Sequence, residues 1–161
     1  MVRSDPYRVE WHRAGRQPLL GPVTPWTSVP VTKNELDRLN RVRKARLLAQ
    51  DGKRSVAPDG SVHGITPAAR LADIPQPSAA SKPPFQADGI VAGPGNELWV
   101  PRHGADGALP RYDVFNARGE RIRQVELHDG LKVIAVGARH IYTVRVDDDG
   151  QHHLERWNRP T

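Results

Sequence analysis

The sequence predicts an all-β chain that carries one helix, and three observations predict it. Short runs of alternating apolar and polar residues recur at a spacing near 43. Glycine stands at matching turn positions beside them. One stretch breaks the alternation and opens with the signature of a helix start.

The repeat comes first because a fixed period decides the architecture. Leu98-Trp99-Val100 recurs as Ile141-Tyr142-Thr143-Val144, 43 residues further on. A second alternating run follows each, over 112–116 and 154–158, and puts Phe115 and Trp157 42 residues apart. A third copy lies at 8–12, with Trp11 in the aromatic position. Trp11 and Phe115 stand 104 residues apart, one period plus about 61 residues of other material. Gly15 and Gly119 each fall four residues after their aromatic. A hairpin closed by a type I turn and a bulge needs φ > 0 there, which glycine adopts at little cost. The most complete unit has strands at 89–92, 97–102, 111–116 and 121–127. The next has strands at 132–136, 140–147 and 152–158, with Asp148-Asp149-Gly150 as a hairpin turn. Such units are the sequence signature of propeller blades.

The helix begins at Val31-Thr32-Lys33-Asn34-Glu35-Leu36. Thr32 is the N-cap, Glu35 its reciprocal capping-box partner, and Val31 and Leu36 stand where a hydrophobic staple needs them. The helix is expected to run to about residue 50, with Gly52 ending it. Leu36, Leu39, Val42, Leu47 and Leu48 make only an imperfect apolar stripe. From 55 to 84 Pro, Ala, Ser and Gly dominate, which reads as a flexible linker. The expected domains are an edge hairpin at 1–31, a basic helix at 32–51, the linker at 52–84 and two blades at 85–161.

Composition agrees and excludes several classes. In 161 residues there are 15 Pro and 14 Gly, which suits a turn-rich chain. With no cysteine there is no disulfide framework, thiolate metal site or cysteine nucleophile. No apolar run approaches the roughly 18 residues of a transmembrane helix. The first residues lack the apolar core of a signal peptide, and the compartment stays open. The net charge of +6 is local: residues 1–54 hold 12 Lys/Arg against 5 Asp/Glu, and residues 55–161 hold 12 against 13.

Residues 85–161 resemble the closing blades of bacterial six-bladed β-propellers of the NHL-like or TolB-like kind. The resemblance is carried by Gly95-Asn96-Glu97-Leu98-Trp99-Val100, Tyr112-Asp113-Val114-Phe115-Asn116-Ala117-Arg118-Gly119, Val133-Ile134-Ala135-Val136-Gly137 and Ile141-Tyr142-Thr143-Val144-Arg145-Val146-Asp147. Residues 7–39 look like a preceding blade and its exit, through Tyr7-Arg8-Val9-Glu10-Trp11, Gly21-Pro22 and Val29-Pro30-Val31-Thr32. The resemblance implies a partial propeller: about two blades plus a hairpin of a third, with the helix and linker inserted. It implies a parent domain more than twice as long, often periplasmic or secreted. Open blade edges then call for a protein partner or self-association.

No catalytic, cofactor-binding or metal-binding set stands out. His152 and His153 follow an acidic run, but neighbouring strand residues face opposite ways, so the pair cannot close on one ion. Gly93-Pro94-Gly95 lacks the lysine and helix of a phosphate loop and reads as a β-turn. His103, Asp106 and Asp113 fall where loops carry function, without a serine in a nucleophile elbow. Trp11, Phe115 and Trp157 read as inter-blade core. The basic helix residues Arg38, Arg41, Arg43, Lys44 and Arg46 are the candidate anion-binding set, for nucleic acid or an anionic membrane surface. The expected function is therefore a non-catalytic scaffold or binding module without a cofactor. The alternatives are the remnant of a lactonase-like propeller hydrolase and anion binding through the helix.

Overall fold

Antiparallel strands, several of them joined by short glycine turns, build the sheets of this chain. The computed structural model describes residues 1–51, 55–56, 62–63, 80–147 and 149–159, with backbone alone for Arg43 and residues 46–51, 55–56 and 62–63. The architecture is all-β with one helix, and every strand pairing is antiparallel. The chain divides into two compact units, residues 1–30 with 81–161 and residues 31–80.

Three sheets make the larger unit's frame. The first joins β1 (Val2–Ser4), β2 (Tyr7–Trp11) and β3 (Leu19–Leu20) in that order. A two-residue strand, β4 (Val29–Pro30), follows it. In the other unit lie the helix α1 (Lys33–Asp51) and the paired strands β5 (Ser55–Val56) and β6 (Val62–His63). The chain returns to the larger unit as β7 (Ser81–Lys82), which pairs with β4. The second sheet is a four-stranded meander of β8 (Val91–Gly93), β9 (Glu97–Pro101), β10 (Arg111–Phe115) and β11 (Arg121–Glu126). The third holds β12 (Leu131–Val136), β13 (His140–Val146) and β14 (His152–Asn158).

The second sheet is buried on both faces, between two apolar cores. Tyr7, Val9, Val100 and Phe115 pack one core against the first sheet. Trp99, Tyr112, Val114, Val125, Val133 and Ile141 pack the other against the third. Period-2 alternation explains this: Tyr112 and Val114 face one neighbour, Asp113 and Phe115 the other. Polar ties reinforce the second interface. The Val133 backbone N–H donates to the Tyr112 hydroxyl at 3.0 Å, and the buried Glu97 carboxylate accepts from Trp99 Nε1 at 3.2 Å and Arg159 Nη2 at 2.6 Å.

The turn glycines behave as their positions require. Gly15 and Gly119 have φ of 71° and 76°. Gly119 also lies against Gly21, where an added Cβ would come within 2.6 Å of the Gly119 carbonyl oxygen. Gly21 N–H donates to the Val9 carbonyl at 2.8 Å, so this contact seats the second sheet's hairpin on the first sheet's backbone.

At the helix start the Glu35 N–H donates to Thr32 Oγ1 at 3.3 Å and the Thr32 N–H to Glu35 Oε2 at 3.0 Å, the reciprocal pair of a capping box. Gly52 and most of the expected linker lie outside the described residues.

Several expectations change. Ser81 and Lys82, assigned to the linker, pair with Val29 and Pro30, and Phe85 bridges Arg102. Residues 1–30, expected as an edge hairpin of a preceding blade, supply a three-stranded antiparallel sheet that shares a core with the strands from 85 onward. The Gly93-Pro94-Gly95 turn is as expected: Gly95 and Asn96 have φ of 69° and 60°, and the Glu97 N–H donates to the Pro94 carbonyl where β8 turns into β9. Of the recurring aromatics, Phe115 is buried, whereas Trp157 is 40% exposed. Trp157 sits on the outermost strand of its sheet, donating from Nε1 to Thr143 Oγ1 at 3.0 Å.

Trp99 has no exposed surface, so Trp99→Ala should cost about 3–5 kcal/mol in denaturant unfolding. Trp157→Ala should cost less than half as much. Equal losses would show that the third sheet's edge is covered.

Candidate functional site

A buried carboxylate organises the most structured polar site among the described residues. Asp113 lies mid-strand in β10, on the face turned to the first sheet, with no exposed surface. An isolated carboxylate cannot be buried cheaply, so each oxygen must find donors. Asp113 Oδ2 accepts from the Tyr7 hydroxyl and from Arg102 Nη1, both at 2.8 Å. Oδ1 accepts from Gln124 Nε2 at 2.8 Å and stands 3.6 Å from Arg121 Nη1.

Strand register places these partners. Asp113 lies directly opposite Gln124 across the β10–β11 pair. A bulge then pairs Phe115 with Arg121 where regular register would place Ile122. The bulge thereby turns Arg121 to the face of Asp113. Arg102 follows β9 and stacks over the Tyr7 ring at 5.4 Å. Its Nε is buried without a partner among the described residues, a local cost of about 1–3 kcal/mol. Burial, and then the Asp113 carboxylate, push the Tyr7 hydroxyl far above its ordinary range, so it stays a donor.

Above this cluster opens a cleft of about 480 Å³, between residues 25–29 and the loop joining β9 to β10. Arg102, Arg121, Gln124 and Arg111 supply much of its polar lining, and Trp26, Val29 and Leu109 its large apolar lining. His103 lies on its rim loop. The described lining contains no Asp, Glu, Ser or Cys. Arg111 is already paired, with Glu126 at 2.6 Å. A more open recess of about 710 Å³ shares Pro25 and Trp26 with it.

The residues singled out from sequence are distributed differently. Of His103, Asp106 and Asp113, His103 lines the cleft, Asp113 braces it from below, and Asp106 is exposed outside its lining. Arg38, Arg41 and Lys44 are exposed on α1 at three-residue spacing, hence along one side. The side chains of Arg43 and Arg46 lie outside the described residues. Neither recess is lined by this helix. His153 meets Asp147 at 2.7 Å across its hairpin, and no group of three or more potential metal ligands occurs among the described residues.

A second carboxylate cluster is structural. Glu10, 2% exposed, is met by Arg3 at 2.6 Å, Arg8 at 2.8 Å and His12 at 3.3 Å.

The chain matches no protein-family model, no curated protein and no solved structure.

Hydrogen bonding from Arg3 first, and then from Arg8 and His12, outweighs burial and holds Glu10 down to about 2, against an ordinary 4.5. A carboxyl depressed in the folded state stabilises fully above its unfolded value and loses that contribution as pH falls through its folded value. The Glu10 contribution should therefore be present above pH 4.5 and disappear between pH 4.5 and about 2. Thermal melts across that interval should fall more steeply for the native chain than for Glu10→Gln. Parallel curves would remove Glu10 from the acid response.

Proposed function

We propose that this chain is a non-catalytic β-propeller-type scaffold that binds a ligand in the cleft above Asp113. The observation that carries the reading is the braced cleft itself: arginine and glutamine side chains held by a buried carboxylate, beside an apolar wall. Such a pre-organised polar edge in an otherwise apolar concavity suits recognition. Its lining offers no carboxylate pair, serine or cysteine among the described residues, which favours a scaffold over a hydrolase remnant.

Face-to-face stacking of antiparallel meanders supports the propeller-type part. So does the third sheet's outer face. Val144 and Leu154 are direct cross-strand neighbours there, with Leu154 69%, Val146 51% and Ile134 48% exposed. Each inner face of the stack is covered by a neighbouring sheet, whereas this mixed face, which also carries Lys132, His152 and Arg156, leaves its apolar residues open to another surface.

Light scattering during size-exclusion chromatography tests the reading. The chain alone should self-associate with rising concentration, and the pair Ile134→Glu with Leu154→Glu should suppress this without altering the β-sheet circular dichroism. A monodisperse monomer at every concentration would contradict stacking through that face.

A further inference from the structure

The charge balance at the cleft carries one step more, resting on the reading that the cleft is the binding site. Arg102 and Arg121 both line it, and both depend on the single carboxylate of Asp113. Two guanidinium groups against one carboxylate leave one positive charge over. Arg111 does not alter this sum, because Glu126 already answers it. With no acidic residue in the described lining, the surplus faces the cleft.

The two arginines are not equivalent. Arg102 is pinned by its 2.8 Å bond to Asp113 and by the Tyr7 ring, and its side chain is 13% exposed. Arg121 is 27% exposed and stands 3.6 Å from Asp113, beyond hydrogen-bonding distance. Its fork of N–H donors is thus held by charge while remaining available for a planar acceptor. The half-buried Trp26, with Val29 and Leu109, lines the same cleft. A volume of about 480 Å³ suits a small molecule. A single surplus charge matches a monoanion better than a phosphate dianion.

We propose that the cleft binds a small organic acid, with its carboxylate on Arg121 and its flat apolar body against Trp26. The test titrates the full chain with 2-naphthoate, with its neutral analogue 2-naphthalenemethanol, and with inorganic phosphate. Naphthoate should bind about ten-fold more tightly than the alcohol, as one charge-assisted hydrogen-bonded contact allows. Arg121→Gln should erase that preference, and Trp26→Ala should weaken both aromatic probes. The melting temperature of Arg121→Gln is the folding control. Independently of any variant, naphthoate should shift the Trp26 indole N–H resonance, and phosphate should not.

Equal binding of naphthoate and the alcohol, lost in Trp26→Ala, would overturn the organic-acid proposal while leaving a ligand cleft. Phosphate binding as tight as naphthoate would also overturn it. If neither aromatic probe moved Trp26, the proposal and the binding role of the cleft would fall together.

Discussion

The Asp113 carboxylate is the constraint on which the larger unit turns. It is fully buried between two sheets, a position tolerable only because every side of it is answered by a donor. Those donors come from separate parts of the chain: Tyr7 from the first sheet, Arg102 from the end of β9 and Gln124 from β11, with the Arg121 charge 3.6 Å away. One group therefore docks the first sheet onto the second and orients the cationic side of the cleft. Loss of the carboxylate would strand Arg102 with a buried charge, which typically costs more than the pair contributes.

Packing explains why this polar centre can exist. The second sheet has apolar cores on both faces, so β10 is shielded from water on either side. Close backbone approach of Gly21 and Gly119 brings the first sheet near enough for Tyr7 to reach Asp113. The edges of the stack differ. The first sheet's Glu10 is covered by Arg3, Arg8 and His12 beside an exposed Leu20, and the third sheet leaves Ile134, Val146 and Leu154 in water. The three exposed apolar residues of the third sheet are the physical reason to expect a further surface against it.

The strands were legible because their alternation and turn glycines are local signals. Glu97 to Pro101, Arg111 to Phe115 and His152 to Asn158 lie within a residue of where the pattern puts them. The capping box was legible for the same reason. The β4–β7 pair was not: each strand is two residues long, in proline-rich surroundings, and the partners are 51 and 53 residues apart. Trp157 misled because it lies on the outermost strand of its sheet, at the margin of the covered face that holds Ile141 and Thr143. The cleft was only half legible. The sequence singles out Asp113 only as a loop-face candidate; its place between Tyr112 and Val114 in a strand is the signal that marks it as buried. Its partner Arg121 reaches the same face only through a bulge, and Trp26 sits in a stretch with no periodicity.

The most direct test of this account is a double-mutant cycle between Tyr7→Phe and Asp113→Asn, read by urea unfolding. Docking through the buried carboxylate predicts that the two losses are strongly non-additive, with a coupling of about 1–3 kcal/mol. Additive losses would mean that Asp113 does not hold the first sheet to the second, and the braced cleft would lose its foundation.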